Sequence, residues 1–221
     1  MIRKILFDLD DTLYPRQIGI MNQIRALMLR YMQDRLDLTT EEADQLRHRY
    51  LLVYGTTMRG LQLNHQIDPD EFLHYVHDIP LHHYLQANLE LDAVLASIAQ
   101  DKIIFTNASR EHAEQVLETL GIRRHFARIV DVRDMNYESK PQSAAYRRIC
   151  ELLDVEPDEC LLVEDNVRNL QPAKALGMAT VLVSHEAGTS DGAVDFVLGR
   201  IEEIGELVAR FEWQDETHGS R

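Results

Sequence analysis

The chain has only two cysteines among 221 residues, Cys150 and Cys160, too few for a disulfide framework or a cysteine-built zinc centre. Cys150 falls on an apolar helical face and Cys160 opens an apolar run, the pattern of buried thiols. Basic residues are also scarce: 23 Lys and Arg against 37 Asp and Glu leave a formal net charge of −14. So acidic a chain offers no basic face for bulk nucleic acid. A small anion would have to be drawn in by a local positive site, a metal or a placed lysine. No apolar run approaches the roughly 20 residues of a membrane span. The N-terminus enters a strand-like segment at once, without a signal-peptide pattern. Repeats and low-complexity tracts are missing too. These absences predict a reduced, cytoplasmic protein with no membrane partner.

What is present is concentrated near the N-terminus. Ile2, Ile5, Leu6 and Phe7 form a short apolar run suited to a strand covered on both faces. The run ends in Asp8-Leu9-Asp10-Asp11-Thr12, three carboxylates within four positions. A parallel strand ending in Asp-x-Asp delivers acids to the carboxyl edge of a sheet, where open α/β sheets keep their ligands. Such crowding is costly unless a cation or a proton sits between the acids. A helix cap would need one of these residues and gains nothing from three.

Beyond this run the chain divides by pattern. From residue 16 to residue 86 the spacing is helical: Ile20, Ile24, Leu27, Met28 and Tyr31 recur on one face. Thr39 or Thr40 opens a second helix ahead of Glu41 and Glu42, stopping near Gly55, and Asp68-Pro69-Asp70 opens a third. After residue 87 helices alternate with strands. Helices are expected over about residues 88–100, from Ser109 to Gly121, over 142–153 and over 169–176. Strands are expected at Lys102–Phe105, Ala127–Asp131, Leu161–Val163, Thr180–Val183 and Asp195–Val197. The expected fold class is therefore α/β: a doubly wound parallel sheet, Rossmann-like, with an inserted all-helical cap domain. The catalytic core comprises residues 1–15 and 87–213, the cap 16–86, and 214–221 a flexible polar tail. Phe211 and Trp213 read as packing residues of a last helix.

Four expected strand ends carry polar residues. Asp8 and Asp10 are the first. Phe105-Thr106-Asn107-Ala108-Ser109 is the second, where N–H groups and a hydroxyl at a helix start suit an anion. Lys140-Pro141, the third, would by itself be an ordinary surface turn. Leu161-Leu162-Val163-Glu164-Asp165-Asn166 is the fourth, an apolar strand ending in paired acids. Two acidic strand ends can hold a hard, oxygen-preferring cation, with Mg²⁺ the natural candidate. A metal between Asp8 and Asp165, with Lys140 and Thr106 opposite, would cradle a phosphoryl group. Asp8 could then attack phosphorus to form an aspartyl phosphate, and Asp10 protonate the leaving oxygen and later deprotonate water.

In order and spacing, Asp8-Leu9-Asp10-Asp11-Thr12, Thr106-Asn107, Lys140-Pro141 and Glu164-Asp165-Asn166 resemble the four motifs of the haloacid dehalogenase superfamily. The resemblance covers nearly the whole chain. It implies Asp8 as nucleophile and Asp10 as acid/base. Mg²⁺ would be held by Asp8, the main-chain carbonyl of Asp10, and Asp165, with Glu164 in support. Thr106, Asn107 and Lys140 would hold the phosphoryl group. The fourth motif departs from the common Gly-Asp-x-x-x-Asp form, with Asn169 where the last acid often lies.

Within the cap, Tyr54-Gly55-Thr56-Thr57-Met58-Arg59-Gly60-Leu61 is similar to a stretch of the superfamily's pyrimidine 5′-nucleotidases, as are Ile67-Asp68, Phe72, Val76-His77 and Ile79-Pro80. That likeness implies UMP or CMP as substrate, with Thr56, Thr57 and Arg59 as base-recognising contacts. The plain alternative is that Gly55 and Gly60 end helices and Thr56 caps the next. A sugar-phosphate phosphatase or phosphomutase on the same core is the rival within enzymes. A phosphoaspartate regulatory module is the rival of another class, although such modules accept the phosphoryl group on a later strand and lack so large a cap. Dehalogenation is disfavoured, because that chemistry needs no metal. His74, His77, His82 and His83 lack the acids or cysteines that would complete a metal set and read as polar-face or core residues.

Overall fold

β1 (Lys4–Phe7) has Ile5, Leu6 and Phe7 fully buried, as a strand covered on both faces requires. The Phe7 ring meets Phe126 edge-on at 5.7 Å. A computed structural model describes residues 1–184 and 192–210. The expected tail 214–221, and Phe211 and Trp213, lie outside the described residues.

After β1 come four helices: α1 (Ile20–Leu36), α2 (Thr40–Tyr54), α3 (Thr57–His65) and α4 (Pro69–Val76). Their starts follow the local chemistry. Thr39 and Glu42 form a reciprocal capping box at α2, and Asp68 accepts the Asp70 N–H ahead of Pro69 at α4. α1 packs on α2 and α4, and α3 on α2 and α4. The interior is built from Ile20, Ile24, Tyr31, Tyr50, Leu61 and Phe72, with Tyr31 edge-on to Phe72 at 5.2 Å.

The chain then alternates: α5 (Leu89–Ser97), β2 (Asp101–Phe105), α6 (Arg110–Thr119), β3 (Phe126–Val130), α7 (Ser143–Leu153), β4 (Cys160–Glu164), α8 (Val167–Ala175), β5 (Ala179–Val183) and β6 (Phe196–Leu198). Residues 204–210 are helical. All pairings are parallel, in a six-stranded sheet of order β3-β2-β1-β4-β5-β6. This is the doubly wound arrangement, and β1 sits where the winding direction reverses. Phe7 is level with Ile104 on one side and Val163 on the other, so the residues leaving β1, β2 and β4 emerge side by side.

Two helix boundaries differ from expectation. α8 opens at Val167 rather than residue 169, because Asn166 caps it by accepting the Arg168 N–H. α5 stops at Ser97 rather than near 100: Ile98 turns extended and buried, and Lys102 Nζ donates to the carbonyls of Ile98 and Gln100.

The insertion is tied to the core at several points. Arg168 of α8 donates to the carbonyls of Leu51 and Leu52 at 3.0 and 2.9 Å. Arg59 pairs with Glu138, and Arg133 with Asp70 of α4. Gly60 does not end a helix; it lies inside α3, and a Cβ there would overlap the Tyr50 ring of α2. Gly60→Ala is expected to lower the unfolding free energy by about 1–3 kcal/mol in a urea titration. Most of that penalty should vanish in a Tyr50→Ala background, where the ring is gone.

Candidate active site

Lys140, in the loop between β3 and α7, is only 1% exposed, and its Nζ reaches two carboxylates from different strands. It donates to Asp8 Oδ1 at 2.7 Å and to Glu164 Oε1 at 2.9 Å, and lies 5.0 Å from the centre of the Phe105 ring. Burial alone would lower the lysine pKa, but the two carboxylates outweigh it and hold it above the ordinary range. The backbone of Lys140 is fixed by Asn107. The amide side chain donates to the Lys140 carbonyl at 2.9 Å and accepts the Lys140 N–H at 2.8 Å. Thr106, also buried, accepts the Ala108 N–H and so shapes the turn leaving β2. Thr12 donates to Asp8 Oδ2 at 3.2 Å.

Glu164 is fully buried and fully engaged. Besides Lys140, it accepts from Asn169 Nδ2 at 2.6 Å and from the Asn166 N–H at 2.9 Å. Asn169, where an acid was a family expectation, thus braces Glu164 as a neutral donor. Glu164 in turn holds the lysine.

Asp8, Glu164 and Asp165 each bring a carboxylate oxygen within 4.8 Å of the others. Burial, and then the charges of Glu164, Asp8 and Asp11, push Asp165 up to about 9. Burial likewise pushes Asp8 up to about 7 against the pull of Lys140, with Glu164 adding to the rise. Fully ionised, the three carboxylates would exceed the one ammonium by two negative charges, which is why protons are held so tightly here without a cation. The hard oxygen donors and that surplus both fit a divalent cation of the Mg²⁺ kind. Among the described residues this is the only such cluster of acids, histidines or cysteines. A cleft of about 470 Å³, lined in part by Thr12, Arg16, Asp165 and Arg200, borders it on the β5 side.

Asp10 has different surroundings. Its Oδ1 accepts from the Tyr14 hydroxyl at 2.5 Å and from His112 Nε2 at 2.8 Å. Burial alone would raise this carboxyl, but the His112 ring and the Tyr14 hydroxyl hold it below the usual carboxylate range. His112 was not singled out from the sequence. The signal was there: it shares the buried face of α6 with Ala113, Val116 and Leu117, one turn after a strand end that carries chemistry.

The histidines of the insertion do not assemble. His82 and His83 are exposed, whereas the half-buried His77 stacks on His112 with ring centres 4.3 Å apart and bonds Ser109 Oγ at 3.0 Å. Burial and the adjacent His112 push His77 down to about 3.

The cap residues Thr56, Thr57 and Arg59 sit at the start of α3. Thr56 caps the helix through the Arg59 N–H, Thr57 is buried, and Arg59 bonds Gln62 and Glu138. The turn abuts the Lys140 loop: a Cβ on Gly55 would lie 3.0 Å from Ser139 Oγ and 3.1 Å from the Lys140 carbonyl oxygen.

Carboxylates from two neighbouring strands, cross-linked by a buried lysine at the reversal point of a doubly wound sheet, define an α/β protein with an acidic, cation-fitting site. A haloacid dehalogenase-like hydrolase family model matches residues 2–177, and the chain belongs to that family. It is similar to Phosphate metabolism protein 8 of Saccharomyces cerevisiae, 25% identical over 81% of this chain and 61% of that protein. A phosphoglycolate phosphatase of Chromobacterium violaceum is 29% identical over 52% of each. The matches thus span less than two thirds of these relatives. Among solved structures, a HAD phosphatase from Thermococcus onnurineus aligns with a TM-score of 0.64 and 19% identity, over 94% of this chain and 98% of that one. An L-2-haloacid dehalogenase from Xanthobacter autotrophicus and a 2-haloacid dehalogenase from Pseudomonas syringae each align with a TM-score of 0.62, so fold alone does not separate the two chemistries.

In cation-free protein, Asp8 and Asp165 bind protons more tightly when folded than when unfolded. Their raised values, about 7 and about 9, mean that the folded state loses stability as pH rises from the ordinary carboxylate range toward 9. A divalent cation held by these carboxylates would offset that loss. Scanning fluorimetry should show Mg²⁺ raising the Tm over an EDTA control, with a gain at about pH 8 clearly larger than at about pH 5. An equal or absent gain at both would contradict the cation assignment.

Proposed function

We propose that the protein is a Mg²⁺-dependent phosphomonoester hydrolase acting through an aspartyl phosphate, with pyrimidine nucleoside 5′-monophosphates, UMP and CMP, as substrates. The observation that carries the chemistry is the Lys140 ammonium shared between Asp8 and Glu164 beside a third carboxylate, Asp165. Asp8, Asp165 and the Asp10 main-chain carbonyl would hold the cation, which when bound supplies positive charge to the phosphoryl oxygens. Asp8 attacks phosphorus as a carboxylate. Lys140 neutralises charge on the transferring group, and Thr106 offers its hydroxyl. Asp10 gives a proton to the departing oxygen and takes one from the water that hydrolyses the aspartyl phosphate. With its pKa held low at rest, Asp10 is primed as the base, and an arriving phosphoryl dianion raises it toward the acid it must also be. A carboxylate cluster that fits a cation weighs against dehalogenation, which needs none.

The substrate reading rests on the residue 54–61 stretch and on its position against the Lys140 loop. The phosphoglycolate phosphatase relative favours a second reading, a small phosphorylated acid or sugar phosphate. The discriminating measurement is phosphate release from UMP, CMP, AMP, IMP, phosphoglycolate and several sugar phosphates, with Mg²⁺ or EDTA. UMP and CMP should lead, EDTA should silence the reaction, and Asp8→Asn should lower kcat by about three orders of magnitude or more. Preference for phosphoglycolate would keep the chemistry and replace the substrate. A long-lived aspartyl phosphate without turnover would favour the regulatory rival.

The likeness to the nucleotidases assigns Arg59 to the base, and the same side chain ties the insertion to Glu138. Arg59→Ala should raise KM for UMP by about tenfold, and Glu138→Gln by much less. Equal effects would reduce Arg59 to a structural tie.

A further inference from the structure

We infer that His112 is the positioning residue that makes Asp10 an acid/base, holding one carboxylate oxygen so that the other faces the leaving group. The inference rests on the phosphatase reading above. Both donors near Asp10, Tyr14 and His112, bond the same atom, Oδ1. Among the described residues no side chain or N–H bonds Oδ2, on a side chain still 14% exposed. A carboxylate only accepts, so Nε2 of His112 carries the proton it donates. The histidine has no other polar anchor: Nδ1 is buried without a partner. Its ring is held by packing instead, with the His77 ring of the insertion stacked on it at an interplanar angle of 16°. His77 is fixed in turn by Ser109 Oγ, which also accepts the His112 N–H at the cap of α6. A fully buried imidazole with a single hydrogen bond has no solvation role, and the core would accept an apolar residue there more cheaply. The bond to Asp10 is what this arrangement secures.

In the reaction, Asp8 oxygen bonds phosphorus as the ester P–O bond breaks. The proton on Asp10 Oδ2 then passes to the departing alkoxide, leaving a carboxylate that later accepts a proton from water. A rotated Asp10 carboxyl would miss that oxygen. The loss should therefore scale with how much the leaving group needs a proton. UMP leaves as a basic alkoxide, whereas p-nitrophenyl phosphate leaves as a stable phenolate that needs none.

The test compares kcat/KM for UMP, or for phosphoglycolate should that be the better alkyl ester, with kcat/KM for p-nitrophenyl phosphate. Both report steps up to leaving-group departure. In His112→Ala the alkyl ester should lose about 30- to 100-fold and p-nitrophenyl phosphate no more than about threefold. A pre-steady-state burst of p-nitrophenolate should then appear, because the misplaced Asp10 also serves water poorly. His112→Gln, whose Nε2 can occupy the same place, should restore the alkyl ester to within about fivefold of wild type. It also serves as the reporter should the alanine variant fold poorly, as judged by circular dichroism and Tm. Equal losses on both esters, no loss on either, or a folded glutamine variant as selective as the alanine would overturn the role of His112 and leave the phosphatase reading standing. A wild-type protein inactive on every ester would overturn the phosphatase reading, and this inference with it.

Discussion

One buried ammonium, that of Lys140, joins the end of β1 to the end of β4. Asp8 and Glu164 could not sit so close without it, and Lys140 could not be buried without them. Removing the lysine would leave two buried carboxylates without a counter-charge, at a cost of about 3–5 kcal/mol. The surrounding polar contacts serve this triad. Asn107 clamps the lysine backbone, and Asn169 and the Asn166 N–H fill the remaining capacity of Glu164. With Glu164 saturated, Asp8 and Asp165 are the carboxylates whose ionisation a cation could balance.

The environments also separate carboxylates of identical intrinsic chemistry. Asp8 and Asp165 are pushed upward by burial and by the neighbouring Glu164 carboxylate, whereas Asp10 is drawn down by two donors. Divergent protonation among close acids is how a site at neutral pH obtains different roles from one residue type. Here the division follows the strand end: Asp8 faces the lysine, and Asp10 faces α6 and Tyr14.

Much of this was legible in the sequence. Short apolar runs ending in Asp8, Thr106 and Asp165 marked strands whose polar ends converge, and parallel alternation follows from the helices between them. The spacing of Ile20, Ile24 and Tyr31 marked the insertion. What escaped depends on contacts between distant segments. Gly60 reads as a helix stop because a glycine inside a helix is costly, yet Tyr50 fills the space that its missing side chain leaves. His112 reads as one more polar residue in a helix, because nothing local reveals that Asp10, 102 positions earlier, will lie against it. Arg59 looked free for a ligand, and its pairing with Glu138 required knowing which loop the insertion meets.

Arg168 carries a last implication. The carbonyls of Leu51 and Leu52 belong to the final turn of α2, where helix carbonyls run out of N–H partners within the helix, and the guanidinium of α8 donates to both. The terminal turn of an insertion helix is thus completed by a core residue that directly follows the acidic strand end. Any outward swing of the insertion strips that turn of its donors, so hinge motion and fraying of α2 form one event, and water must take the place of Arg168 before the seam can part.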